Sequence, residues 1–339
     1  MANTKIDVVS GFLGAGKTTF IKRLVENGKD KGRTIIIENE FGEIGIDGGF
    51  LKNSGIEIKE MNSGCICCSL AGDFEASLRE LLKDYAPNRV IIEPSGVGKL
   101  SDVLKAVSDV EKDLEVESNS AVTVVDVKKC KMYMKNFGEF FNNQIQFANT
   151  IILSRTDLAD SKKIEEAVAL IKEVNPEATI VTTPLDKLSD EKIEELLSKP
   201  IDLKSELLEE LAKEHEHHHH HDEHCEHEHH HHGEHCEHEH HHDHHHADDV
   251  FDSWGMEQVP AISEDKLKSI LNDFSNEEKY GVILRAKGMV KDADSDDWFY
   301  FDLVPGENDI RRGDAEYTGK VCVIGAGLKS EELEKCFRV

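Results

Sequence analysis

A lysine and a hydroxyl at the end of a glycine-rich octet give this chain its first recognisable chemistry. Residues 11–18 read GFLGAGKT and fill every fixed position of G-x-x-x-x-G-K-[ST]. Glycines let such a backbone curl until its N–H groups face phosphate oxygens. The N-terminus of the following helix adds partial positive charge. Lys17 is the candidate to reach the β- and γ-phosphates, and the Thr18 hydroxyl is the candidate Mg²⁺ ligand. Gly11, Gly14, Ala15, Gly16, Lys17, Thr18 and Thr19 are therefore the candidate nucleotide-binding residues.

Two acidic strand ends compete to complete that site. Glu93 closes RVIIE and is followed by PSG, where a carboxylate helping to hold Mg²⁺ belongs. Asp126, closing VTVVD, is the alternative. Lys17 and Glu93 are the catalytic candidates. The stretch ENEFGEIGID, Glu38 to Asp47, follows a strand and carries four carboxylates. In a nucleotide switch this position touches the γ-phosphate and Mg²⁺. Read alone it is a polar loop. After another strand comes SRTD. Guanine-specific proteins place Asn-Lys-x-Asp here, with the Asp accepting from guanine N1 and N2. Asp157 keeps that position, while Ser154 and Arg155 replace Asn and Lys. Arg can still lay its planar guanidinium on a base, but Ser loses the amide contacts, so guanine preference over adenine stays open.

Two further clusters suit soft metals. GCICC places Cys65, Cys67 and Cys68 within four residues. Three thiolates and one more donor make a tetrahedral Zn²⁺ site, and an open fourth position suits exchange. The adjacency of Cys67 and Cys68 demands a sharp backbone turn. The plainer reading is three buried apolar thiols. All 20 histidines fall between His215 and His246. Within that tract EHCEHEHHHH at 223–232 recurs as EHCEHEHHHD at 234–243. Its candidate ligands are His224, Cys225, His227, His235, Cys236 and His238. The Irving–Williams order alone favours copper, with nickel, zinc and cobalt also bound. A solvated linker is the plainer reading of this tract.

These residues need a scaffold, and the hydrophobic pattern supplies one. Apolar runs predict strands at 6–10, 34–38, 56–60, 89–93, 121–125, 150–154 and 179–182. Helical patterns alternate with them at 17–27, 72–85, 98–107, 128–146, 161–174 and 189–197. Such alternation predicts an α/β fold, a mostly parallel doubly wound sheet with its ligand at the carboxyl ends of the strands. Residues 1–200 form this domain. Residues 201–249 read as a charged helix running into the His-rich linker, which carries −12 of the net −28 charge. Without metal it lacks the apolar surface to order. Residues 250–339 predict a small α+β domain, with a helix at 264–274, strands at 280–287, 298–304 and 320–324, and a last helix at 330–336. The GAG at 325–327 reads as a turn. Net charge −28 argues against general nucleic-acid binding. No apolar run reaches membrane-spanning length. The chain enters its first strand almost at once, without a signal peptide. A cytoplasmic protein is expected, its eight cysteines serving as ligands or free thiols rather than disulfides.

Together the sequence resembles the CobW-type family of P-loop GTPases, the metallochaperone branch. The resemblance rests on GFLGAGKT, ENEFG with Asp47, GCICC as C-x-C-C, EPSG as E-x-x-G and SRTD. A C-terminal segment, EKYGVILRAKGMV…DWFYFDLVPG, looks like the CobW C-terminal domain. It implies a slow GTPase that uses GTP and Mg²⁺, binds a transition metal at C-x-C-C and hands it to a client metalloprotein. Zinc is the first choice, cobalt or nickel behind it. It also implies that Glu93 and the loop 38–43 sit at the nucleotide, with Glu40 near the metal. The competing functions are a His-rich metal buffer and an activator inserting cobalt or iron into one enzyme. A homodimer is left open. No residue stands out as the general base for hydrolysis.

Overall fold

The computed structural model describes residues 4–27, 33–38, 57–60, 71–197, 250–313 and 318–338. In chain order the first part runs β1 (Thr4–Ser10), α1 (Lys17–Asn27), β2 (Thr34–Glu38), β3 (Glu57–Glu60), α2 (Ala71–Tyr85), β4 (Arg89–Glu93), α3 (Leu100–Glu111) and β5 (Val116–Asp126). It continues through α4 (Cys130–Asn136), α5 (Gly138–Gln146), β6 (Thr150–Ser154), α6 (Ser161–Val174), β7 (Thr179–Val181) and α7 (Asp190–Leu197). The strands align as β3-β2-β4-β1-β5-β6-β7, and every described pairing is parallel. Buried on both faces, they read as continuous Ile and Val runs rather than alternating ones. On one face Phe20, Ile21 and Leu24 of α1 and Ile193 and Leu197 of α7 pack on Val9, Ile36, Ile91, Val122 and Ile152. This is the P-loop NTPase architecture that the alternation predicts.

Two boundaries moved for identifiable reasons. The helix expected over 128–146 is two helices, because Phe137 leaves helical geometry at φ −136°, ψ 35°. Its ring then joins Phe12, Tyr133 and Phe251 in an aromatic cluster. β5 begins five residues earlier than its apolar run, since its polar start serves a buried charge. Asp7 is fully buried on β1 and is satisfied by Arg89 Nε at 2.6 Å, Asn119 Nδ2 at 2.7 Å and Ser120 Oγ at 2.5 Å.

The C-terminal part is β8 (Asp252–Glu257), α8 (Glu264–Asp273), α9 (Glu277–Tyr280), β9 (Val282–Lys291), β10 (Trp298–Val304), β11 (Glu307–Gly313), β12 (Lys320–Ala326) and α10 (Ser330–Phe337). Its antiparallel sheet has the order β11-β10-β9-β12-β8. Phe299, Phe301, Val321 and Val323 meet Leu267, Leu271 and Phe337 from the helices in its core. Gly325 lies inside β12, so the expected GAG turn begins only at Gly327, φ +60°. Both sheets belong to one compact unit. No helix among the described residues is long and apolar enough to cross a membrane.

The Asp7–Arg89 pair ties β1 to β4 inside the protein. Removing one partner leaves an unpaired buried charge, which costs about 3–5 kcal/mol. Arg89→Met is expected to lower unfolding free energy by about that much in urea titrations, and Asp7→Asn added to it is expected to cost much less than a second such step.

Candidate nucleotide and metal site

The glycine loop sits where the carboxyl ends of β1, β4 and β5 meet. Gly11 has φ +143°, and a Cβ there would strike the Val124 carbonyl of β5. The Phe12 ring is fully buried, 4.5 Å from the Tyr133 ring centroid and 6.1 Å from that of Phe251. Leu13 packs on Gly96, which has no room for a Cβ. The glycine that closes EPSG is thus a packing requirement of the loop beside it. Ala15 is buried and donates its N–H to Phe12 O at 3.1 Å. This hydrogen bond closes the turn.

At the start of α1, the Thr18 hydroxyl donates to the Glu93 carboxylate at 3.2 Å. Lys17 Nζ lies 4.0 Å from the same carboxylate. Thr19 is exposed beside them. Two ligands in neighbouring corners of a Mg²⁺ octahedron stand about 3 Å apart, so a hydroxyl and a carboxylate at this spacing are donors that fit the ion. Glu38 neighbours Glu93 in strand register, extending the acidic row across β2.

Asp126 is engaged elsewhere. Its carboxylate forms a short ion pair with Arg155, accepts the Lys128 N–H at 2.9 Å and lies 3.8 Å from the Lys129 ammonium. Burial pulls the Lys129 ammonium below its ordinary value, with Asp126 opposing the shift. The two acidic strand ends that compete in the sequence are thereby separated, Glu93 towards Thr18 and Asp126 towards Arg155 in the segment 154–157. Ser154 ends β6, its hydroxyl 3.4 Å from Val125 O. Arg155 turns the chain in left-handed geometry, φ +56°, and donates to Gly14 O at 3.2 Å. Asp157 follows in a short 3₁₀ turn and is exposed.

Glu40, Cys65, Cys67, Cys68, His224, Cys225, His227, His235, Cys236 and His238 lie outside the described residues. Among the described residues no group of three or more His, Cys, Asp or Glu is placed to hold a metal. The described thiols are Cys130 and Cys322, both buried, and Cys336, which meets the Tyr280 hydroxyl at 3.0 Å. Sequence reasoning missed Glu307 and Lys128, which pair at 2.7 Å beside Arg155. Nothing in the sequence marks them, because the pair joins residues far apart along the chain.

Comparison with known proteins covers both sheets. The family model described as CobW/HypB/UreG, nucleotide-binding domain, matches residues 5–182. That for the cobalamin synthesis protein cobW C-terminal domain matches residues 251–339. A Sinorhizobium protein named zinc chaperone CobW is 35% identical over 186 residues, covering 47% of this chain and 52% of that protein. The Escherichia coli zinc chaperone YeiR is 30% identical over 154 residues, covering 45% of this chain and 47% of its own. The chain thus spans about half the length of the curated relatives it matches. The crystal structure of a Zn(II)-bound YjiA GTPase from E. coli superposes with TM-score 0.44 at 18% identity, covering 99% of this chain and 98% of that one.

Burial, with Asp126 and Glu166 adding to it, pushes the Cys130 thiol up to about 12. Thiolate is the reactive form. Iodoacetamide at pH 8 is therefore expected to leave Cys130 unmodified in the native protein and to label it only after denaturation, as read by peptide mass spectrometry.

Proposed function

The chain belongs to the CobW/HypB/UreG family, and from that premise we infer that it is a GTP-hydrolysing metallochaperone. Its cargo is a transition metal, zinc first, bound at Cys65, Cys67 and Cys68 and passed to a client metalloprotein. The observation that carries the nucleotide half is the meeting of Thr18 and Lys17 with the Glu93 carboxylate, at 3.2 Å and 4.0 Å. The relatives named zinc chaperones support the choice of cargo.

In this reading Gly11–Thr18 wraps the phosphates and Lys17 neutralises the γ-phosphate. Thr18 and Glu93 hold Mg²⁺, which when bound screens charge building up on the phosphate oxygens. Asp157 reads the guanine edge, and the Arg155 guanidinium lies across the base. Glu40 and the loop from Glu38 connect the γ-phosphate to the cysteines. A GTP-dependent loop gives the protein two states with different affinity for the metal, and hydrolysis returns it to the releasing state. Thiolates select zinc and its neighbours over Mg²⁺, so resident ion and cargo do not exchange sites. The His-rich tract from 214 to 249 acts as capture capacity.

Binding linkage is reciprocal. GTPγS is expected to change Zn²⁺ affinity by the same factor by which Zn²⁺ changes GTPγS affinity, both read by titration with a competing chelator. Independent affinities would remove the coupling. Deleting residues 214–249 is expected to cut the number of Zn²⁺ ions bound while metal-responsive GTP hydrolysis persists. Loss of that response, with basal hydrolysis intact, would favour a buffer whose working part is the tract.

A further inference from the structure

The glycine loop is touched by a residue from the other sheet. β10 and β11 are joined by the two-residue turn Pro305–Gly306, with Val304 and Glu307 paired across it. The Val304 side chain lies so close to Gly14 that a Cβ on Gly14 would overlap its Cγ1. Position 14 is a free position of the phosphate-loop pattern. Here its backbone, at φ +68°, and its neighbour Val304 both require glycine.

Glu307 reaches the base-reading segment from the same turn. One carboxylate oxygen pairs with Lys128 Nζ at 2.7 Å, the other with Arg155 Nη2 at 3.4 Å. The opposite guanidinium nitrogen of Arg155 is held by Asp126 and by Gly14 O. Two carboxylates from two different sheets therefore fix the plane of one guanidinium, which also ties the base segment to the phosphate loop. The cluster is asymmetric. Among the described residues the ion pairs of Lys128, Lys129 and Arg155 are with Asp126 and Glu307, and the buried Lys129 Nζ makes no hydrogen bond there. The pair with Lys128 holds Glu307 below its ordinary value, so it is ionised at neutral pH. Glu307 lies outside the hydrophobic core of its own sheet.

We propose that the β10–β11 turn is a wall of the nucleotide site, in which Val304 backs the phosphate loop and Glu307 positions Arg155 for a purine base. Glu307 is a positioning residue, since it acts on the base through Arg155. The inference rests on the nucleotide reading above and adds the C-terminal sheet to it. A guanidinium held by two carboxylates presents a fixed plane, and one held by a single carboxylate samples several.

The test uses full-length protein with Mg²⁺ and fluorescent mant-GDP. Glu307→Gln is expected to weaken mant-GDP about two- to fivefold, the range of partly exposed ion pairs. Displacement of mant-GDP by tripolyphosphate, which has no base, is expected to need no more competitor than in wild type. Lys128→Met removes the other partner of Glu307 and is expected to shift mant-GDP affinity less than twofold. In an Arg155→Ala background Glu307→Gln is expected to have no further effect. Unchanged affinity in Glu307→Gln, additive effects with Arg155→Ala, or equal losses in Glu307→Gln and Lys128→Met would each overturn the positioning role. Wild-type protein that does not bind mant-GDP would instead overturn the nucleotide reading, and this inference with it.

Discussion

Close packing around Gly11–Thr18 is the constraint on which the rest of the structure depends. The first half of the loop is tightly packed. Gly11 abuts the Val124 carbonyl, Leu13 abuts Gly96, and Gly14 abuts Val304. Phe12 is clamped among the rings of Tyr133, Phe137, Phe141 and Phe251. Those neighbours come from β5, the segment after β4, α4, α5 and the C-terminal part of the chain. Close-packed interiors do not deform smoothly. Tight packing of this kind passes displacement of the loop on to its neighbours.

Electrostatics divides the strand ends into two halves. Glu93 faces Thr18 and Lys17. Asp126 is taken up by the Arg155 guanidinium, the Lys128 backbone N–H and the Lys129 ammonium. The two carboxylates end parallel strands one place either side of β1, and their chemistry is set by their cationic neighbours rather than by the strands.

Much of this was legible in the sequence. β2, β4, β6, β10, α1 and α6 begin and end where the apolar pattern predicts. Buried parallel strands and amphipathic helices are what that pattern reports. It failed where burial was absent or local rules were overridden. β8 and β11 are the two edges of the C-terminal sheet, and their runs DSWGME and ENDIRRG are mostly polar, turning only Trp254 and Met256 of the one and Ile310 of the other towards the core. Charged edges discourage pairing with other chains and also erase the alternation by which a strand is recognised. The break at Phe137 is a tertiary feature, its ring packed among Phe12, Tyr133 and Phe251. The glycine loop and the acidic strand ends were readable as candidates because local patterns mark them, but those patterns leave open which carboxylate, Glu93 or Asp126, meets Thr18. The contact of Glu307 with Arg155 was not readable, because it exists only once two sheets are packed.

Asp7 lies in the middle of β1 and Arg89 at the start of β4, both away from the glycine loop, yet they act as a gauge for it. Gly11 follows β1 directly, and Glu93 closes β4. The distance from Thr18 to Glu93 therefore depends on how β1 is registered against β4. A slip of one residue moves a strand by about 3.3 Å and turns its side chains to the other face. That is as large as the 3.2 Å separation between the Thr18 hydroxyl and the Glu93 carboxylate. Apolar runs of Ile and Val are nearly degenerate to such a slip, because each register buries a similar surface. A single charged pair is not degenerate: Asp7 meets Arg89, Asn119 and Ser120 in one alignment only. The buried ion pair thus works as an alignment key, cut inside the sheet, for a fit made at its carboxyl edge.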